Sequence, residues 1–367
     1  FGGTFDLSGS GKTVVKFNYG TYWFNPGADF LLTNVNPNSQ VWWRGYAWTD
    51  PNRSGAWEPG EEGALLESRG GVAAESVDPN LKNQYTRELA AWFEHELFAN
   101  FGVRTGVVWR GERNHYQRVN QNRPFEAFSV PVSVRDPGPD GLLGTGDDGA
   151  PIPGLDLAPE FRGLPTVNMS QNVPNSDSSF TTWEMTATKR HSNRWSLMAT
   201  FAHTWSRDQQ NSFFGQSVRQ NVYPSTPNDL INAGPDGRYE FTTWQGKLNA
   251  TIEIPWEIKL TPVLRHQAGQ SYGRTFSVGA PTFNYGSVRI LAEPISTRRM
   301  DNITIFDTRL EKVFRIRQAR ISGFFDLFNV FNANPEQNLS WTSGASFLRP
   351  LNIVPPRIAR FGAKFEW

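Results

Sequence analysis

The sequence predicts an all-β fold, a transmembrane antiparallel β-barrel wall of about ten strands, and three observations point to it. Apolar and polar residues alternate with a period of two, as on strands whose two faces meet different surroundings. The connections between these segments alternate between very short and long. The chain closes on a further alternating segment that ends in an aromatic residue, Trp367.

The period is clearest in Arg194–Ser206. Trp195, Leu197, Ala199, Phe201, His203 and Trp205 share one face there, while Ser196, Thr200, Thr204 and Ser206 share the other. Trp244–Ile254 repeats the pattern, with Leu248, Ala250, Ile252 and Ile254 against Gln245, Lys247, Asn249, Thr251 and Glu253. Such segments fall near 13–24, 85–98, 102–116, 179–190, 194–206, 240–254, 257–268, 302–314, 318–331 and 355–367. Nowhere do about 18 apolar residues run together, which excludes a spanning helix. A barrel strand needs only about 9–11 residues with every second one facing lipid. Low mean hydropathy with 14 Trp and 27 Phe suits a polar lumen, an apolar outer band and aromatic girdles.

Short connections are expected around Ala99–Phe101, His191–Asn193, Pro255–Trp256 and Arg315–Arg317. Long loops occupy 25–84, 117–178, 207–239, 269–301 and 332–354, all on one side of the sheet. Short periplasmic turns and long extracellular loops are the rule in outer-membrane barrels. Strand 13–24 would then run outward and 355–367 inward, placing both ends of the chain on the periplasmic side. The first residue is Phe1 and no charged leader precedes the pattern, so a mature chain or a fragment is expected.

Other classes find little support. There are no cysteines for a disulfide framework or a thiolate metal site, and a net charge of +1 argues against a nucleic-acid partner. His95, His115, His191, His203 and His266 show no metal-ligand spacing, and no serine sits in a nucleophile elbow, so no enzyme is expected. Glu61 and Glu62 are read as solvated neighbours rather than a glycosidase pair. Gly144, Gly146 and Gly149 imitate a dinucleotide fingerprint, but Asp147 and Asp148 lie where a pyrophosphate would sit. Ser8–Thr13 imitates the end of a P-loop, but Asp6 occupies the first glycine position and a strand follows.

Two loop sites are candidates. Asp136, Asp140, Asp147 and Asp148 share a Gly-rich stretch, and hard carboxylate oxygens on a sharply turning backbone suit Ca²⁺; the alternative is a solvated acidic turn. Trp42, Trp43, Tyr46, Trp48 and Trp57 cluster in the first long loop with Arg44, Asp50 and Arg53. That mixture suits stacking on a sugar or peptide substrate; the alternative is a loop packed on its own aromatics or on the barrel rim. Tyr19, Tyr22 and Trp23 fit a membrane interface.

Several stretches resemble the barrel of TonB-dependent receptors of the Oar-like type, transporters with a carboxypeptidase-regulatory-like domain near the N-terminus. The matching pieces are Thr13–Tyr22, Asp78–Phe93, Pro227–Asn232 (PNDLIN), Pro262–Phe276, Phe325–Asn334 (FDLFNVFNAN) and Pro355–Trp367. In the last, Ala359, Phe361, Ala363, Phe365 and Trp367 share one face. Phe361, Phe365 and Trp367 resemble the C-terminal signal read by the barrel-assembly machinery. The resemblance implies a 22-stranded barrel in the outer membrane of a Gram-negative bacterium, with a plugged lumen. It implies energised uptake of a scarce solute through the TonB complex and no required cofactor. Residues 1–367 would be the C-terminal portion, with the missing strands and plug supplied by the same polypeptide or another chain. A structural or adhesive barrel and a secreted glycan-binding module are the alternatives.

Overall fold

The computed structural model describes residues 1–25, 43–69, 75–173, 176–209, 212–213, 216–217, 224–234 and 237–367. Eleven strands form one antiparallel sheet in chain order. They are β1 (Gly2–Asp6), β2 (Thr13–Trp23), β3 (Tyr85–Phe98), β4 (Phe101–Arg113), β5 (Ser178–Ser192) and β6 (Trp195–Asp208). β7 (Tyr239–Ile254), β8 (Ile258–Gln267), β9 (Ile303–Ile316), β10 (Ala319–Phe328) and β11 (Ile358–Glu366) complete it. The all-β expectation holds, and no helix among the described residues is long and apolar enough to cross a membrane.

β1 adds one strand to the ten segments read from the sequence. Its five residues include Gly2 and Gly3, too few and too small to carry a readable alternation, yet they pair with Asn18 and Phe17. The turn after it is held by Asp6, whose carboxylate accepts from the Ser8 and Gly11 amides; the P-loop-like stretch is this hairpin turn. The expectation that both ends lie on the short-turn side fails with it. Phe1 pairs by two hydrogen bonds of 2.7 Å with Tyr19, partway along β2, and β1 runs from there toward the turn.

Tight turns join alternate strands through left-handed backbone, at Asn100 (φ 66°) and Asn193 (51°), whose side chains tolerate it, and also at Arg317 (53°). β10 stops at Phe328 rather than 331 for a similar reason, since Asn329 takes φ 49°. Its side chain then accepts from the Ala333 amide and donates to the carbonyls of Ala333 and Pro355, closing the turn.

The register keeps one face apolar from strand to strand. Phe17 faces Ala91, Leu89 faces Trp109, Ala187 faces Ala199 and Leu197 faces Ala250. Leu248 then faces Leu264, Leu260 faces Leu310, Leu310 faces Phe325 and Phe325 faces Phe361. A one-residue slip anywhere would turn this face inside out. The opposite face carries paired charges. Glu94 lies 2.8 Å from Lys16, Arg110 lies 2.6 Å from Glu88, and Arg309 and Arg360 each reach Asp326 at 2.6 Å. At Gly362 an added Cβ would stand 2.3 Å from the Phe324 ring, so glycine lets that ring lie flat on the next strand.

Most deeply buried apolar side chains lie in the long loops rather than in the sheet. Tyr239, Tyr272, Leu291, Ile295, Met300, Leu339 and Trp341 form one cluster. Val134, Phe276, Phe283, Val288 and Ile290 form a second, and Ala127, Phe128 and Leu157 a third. The loops contain their own hairpins, including Phe128–Val134 with Ile152–Leu157 and Thr275–Val278 with Val288–Leu291.

Candidate functional site

Side chains that reach between the long loops join them to one another. Arg274 forks onto Asp136 across 138 residues, with bonds of 2.8 and 2.6 Å, and both side chains are buried. The same guanidinium donates to the Gly138 carbonyl and to Ser343 Oγ. Around it the Thr275 amide donates to the Trp341 carbonyl, Ser343 to Thr275 and Gly344 to Pro139, so three loops meet at one ion pair.

A second junction is made by the PNDLIN stretch. Asn228 accepts from the Leu155 amide at 2.9 Å, donates to the Leu155 carbonyl at 2.7 Å and donates to the Tyr285 hydroxyl at 2.7 Å. Asn232 donates to the Leu291 carbonyl. Asp229 is enclosed by the amides and hydroxyls of Ser225 and Thr226. Nearby, buried Asp156 accepts from the Asn284 amide at 2.8 Å and also bonds Arg162.

A cleft of about 390 Å³ opens beside this junction, between Gln117–Asn120, Arg123, Ser225–Thr226 and Tyr285–Val288. Arg123 has no ion pair or side-chain hydrogen bond among the described residues, and Asp229, the cleft's carboxylate, is already held by its four donors. The lining carries two guanidiniums, Arg118 and Arg123, against the one carboxylate of Asp229, a formal excess of positive charge, so the cleft can take an anionic or hydroxyl-rich group. Burial raises the pKa of the Tyr285 phenol, which keeps it neutral near pH 7.

The predicted calcium residues come together only in part: Asp147 bonds Asp140 and shares the Thr145 hydroxyl with Asp148, while Asp136 is turned to a basic partner. Asp136 spends both carboxylate oxygens on Arg274, and no three of the His, Cys, Asp and Glu side chains meet as a metal group among the described residues. Asp140 accepts from the Leu142 amide, Asp148 from Gly144, and Asp147 from the Asp140 amide and the Thr145 hydroxyl. The Thr145 hydroxyl is the main reason the Asp147 carboxyl lies below its ordinary pKa. These are self-capping turns.

Of the predicted aromatic cluster, Trp42 lies outside the described residues and only the backbone of Trp43 is described. Tyr46 and Trp48 stand exposed on a hairpin of Trp43–Trp48 with Glu62–Arg69, and Trp57 is exposed in its loop. The pairing of Glu61 and Glu62 as solvated neighbours is corrected. Glu61 is only 7% exposed and accepts from Trp48 Nε1 at 3.0 Å. At the C-terminus, Phe361, Phe365 and Trp367 are all exposed. Phe361 tilts against Phe325 at 4.8 Å and Phe365 against Trp367 at 5.6 Å.

No family model and no curated protein matches the sequence. Two solved structures resemble the chain along nearly its whole length. The outer membrane transporter YddB from Escherichia coli aligns over 99% of this chain and 39% of its own, with TM-score 0.46 and 11% identity. The copper transporter OprC aligns over 99% of this chain and 38% of its own, with TM-score 0.42 and 11% identity. The chain thus spans less than two-fifths of either transporter.

Sequence reasoning located the loops but missed the residues that join them. Arg274, Asn228 and Asn329 all lie inside the stretches that carry the family resemblance. Polar residues with no periodic role in such stretches were the available signal.

Proposed function

We propose that this chain is part of a TonB-dependent outer-membrane transporter of a Gram-negative bacterium. The eleven-strand sheet forms a section of barrel wall and the packed loops form an extracellular cap that captures solute. The observation that carries the reading is the division of the sheet into one continuous apolar face and one face of paired charges, with every long loop at the same end. Lipid on the first side and a polar lumen on the second satisfy both faces at once.

The edges at β1 and β11 would leave backbone groups unpaired at membrane depth, at several kcal/mol each, so further strands complete the wall toward 22. A plug fills the lumen, and the TonB complex acts on it. Phe361, Phe365 and Trp367 present the aromatic face that the barrel-assembly machinery reads. Solute first meets the positive cleft beside Arg123 and the aromatic hairpin of Tyr46, Trp48 and Trp57.

Fractionation of cells producing the protein tests the location, and formaldehyde cross-linking to TonB tests the energy coupling. The expected result is an outer-membrane band with heat-modifiable mobility that also cross-links to TonB. Recovery in the soluble fraction would reject the barrel. An outer-membrane band that never cross-links would reject energised uptake and favour a scaffold or adhesive role.

A further inference from the structure

The aromatic hairpin contains a spacing that its tryptophans obscure. From Asp50 the chain reads Asp50, Asn52, Ser54, Gly55, Ala56, Glu58 and Glu61 at positions 1, 3, 5, 6, 7, 9 and 12 of a twelve-residue loop. An EF-hand calcium loop draws side-chain oxygens from positions 1, 3 and 5, a backbone carbonyl from 7, a group or water at 9 and a bidentate Glu from 12, with Gly at 6. Two features depart from that motif. Position 5 is Ser, whose hydroxyl is still a hard oxygen, and the flanks are strands rather than helices.

The structure meets the backbone demands of such a loop. Gly55 takes φ 71° at the sharp bend. The Thr49 amide donates to the Glu61 carbonyl at 3.2 Å, so the hairpin stem holds the two ends of the loop together. Asp50 Oδ1 accepts from the Ser54 amide and Oδ2 from Gly55, which folds the loop around the first carboxylate. Ser54 Oγ points to the Ala56 carbonyl at 3.0 Å, and Asn52 Nδ2 donates to Glu58 at 2.9 Å.

The independent indication of a cation is Glu61. Its side chain belongs to a residue only 7% exposed, and it has no Lys, Arg or His partner among the described residues. Oε2 accepts from the Glu58 amide and from Trp48 Nε1, which turns the carboxylate toward the loop. Oε1 has no hydrogen-bond partner among the described residues. That oxygen keeps an opening to solvent, and a largely buried carboxylate with no basic neighbour is one that a metal ion held by the neighbouring oxygens can compensate.

We propose that Asp50–Glu61 is a calcium-binding loop, in which Asp50, Asn52, Ser54, the Ala56 carbonyl, Glu58 and both oxygens of Glu61 enclose one Ca²⁺. Asp50, Glu58 and Glu61 do not yet meet as a trio of acidic ligands, so binding swings Asn52 and Glu58 off each other and onto the ion. Seven hard oxygens favour Ca²⁺ over the smaller Mg²⁺. The ion would fix the stem that carries Tyr46 and Trp48.

Terbium luminescence on the detergent-solubilised full-length protein tests this, with Trp57 inside the loop as the sensitiser. The expected result is tryptophan-sensitised emission that calcium displaces with a midpoint of about 10⁻⁴–10⁻³ M, the range of extracellular modules. Glu61→Gln is expected to weaken the calcium midpoint at least about tenfold. Asp147→Asn, in the other acidic loop, is expected to behave as the unmodified protein. Heat-modifiable mobility confirms folding of each variant, and Asp50→Asn decides the matter where Glu61→Gln does not fold. Absence of calcium-displaceable emission overturns the proposal. So does emission that survives the deciding variant unchanged, or emission lost in Asp147→Asn.

Discussion

Replacing Asp136 by Ala isolates the ion pair that ties the acidic loop to its neighbours. The two side chains are 8% and 6% exposed, so Arg274 would keep its charge in a buried site with only the Gly138 carbonyl and Ser343 hydroxyl left as partners. Breaking a buried pair by removing one partner costs about 3–5 kcal/mol. If the cap opens without the sheet, that loss appears in local opening, where about 1.4 kcal/mol is a factor of ten. Exchange at the Thr275, Ser343 and Gly344 amides, which are bonded around the pair, should rise about a hundred- to a few-thousand-fold.

Hydrogen exchange with mass spectrometry on the solubilised protein reads this directly. Peptides from β5 and β6 serve as the internal reference and should be unchanged. Asp136→Ala combined with Arg274→Met should recover most of the protection, because the unpaired charge is then gone. Exchange within about threefold of the unmodified protein would show that the pair is not what joins these loops. Equal loosening of β5 and β6 would show that cap and sheet open as one unit.

Asn228→Leu removes the clamp on Leu155 and the bond to Tyr285, and should cost about 2–3 kcal/mol of local stability, visible as faster exchange in 152–157 with the sheet unaffected. His115 is pushed below its ordinary pKa, mainly by burial and against the pull of Glu112, Asp208 and Asp177. The unfolded form therefore binds the proton first, so its contribution is complete above about pH 6.5 and is lost as pH falls below that toward the lowered value. Protection factors in 168–172, with the intrinsic pH dependence of amide exchange divided out, should thus fall between pH 7.5 and 5.5, and His115→Gln should flatten the dependence. On the outer face, Phe361→Arg should lower barrel stability by about 2–4 kcal/mol if that residue meets lipid at mid-depth. The urea midpoint of the heat-modifiable band measures it, and a value unchanged from the original would argue that the face meets water.

The strands were legible because alternation is local: Trp195, Leu197 and Ala199 announce a face without reference to any partner. What escaped was either too short to show a period or too distant to show a contact. β1 is five residues with two glycines, and the bond from Arg274 to Asp136 spans 138 positions, so neither leaves a pattern in a window of sequence. The acidic stretch 136–149 is a contrasting case. Its aspartates are dense but lack ordered spacing, and the structure uses them to cap their own turns. Asp50–Glu61 has fewer acids in a better order, and that order was readable from sequence alone.

Where the cap is joined bears on how it would select a solute. The cleft draws its walls from three loops, and Asn228 fixes two of them to the third through Leu155 and Tyr285. A ligand there meets groups that are already positioned, and little ordering entropy is left to lose on binding. The hairpin of Tyr46 and Trp48 differs, because its loop carries Glu61 as a buried charge without a basic partner among the described residues. Calcium would pre-order that second surface in the way the Arg274 pair pre-orders the first. Capture that needs both surfaces should therefore respond to calcium through the hairpin, while the cleft beside Arg123 stays intact.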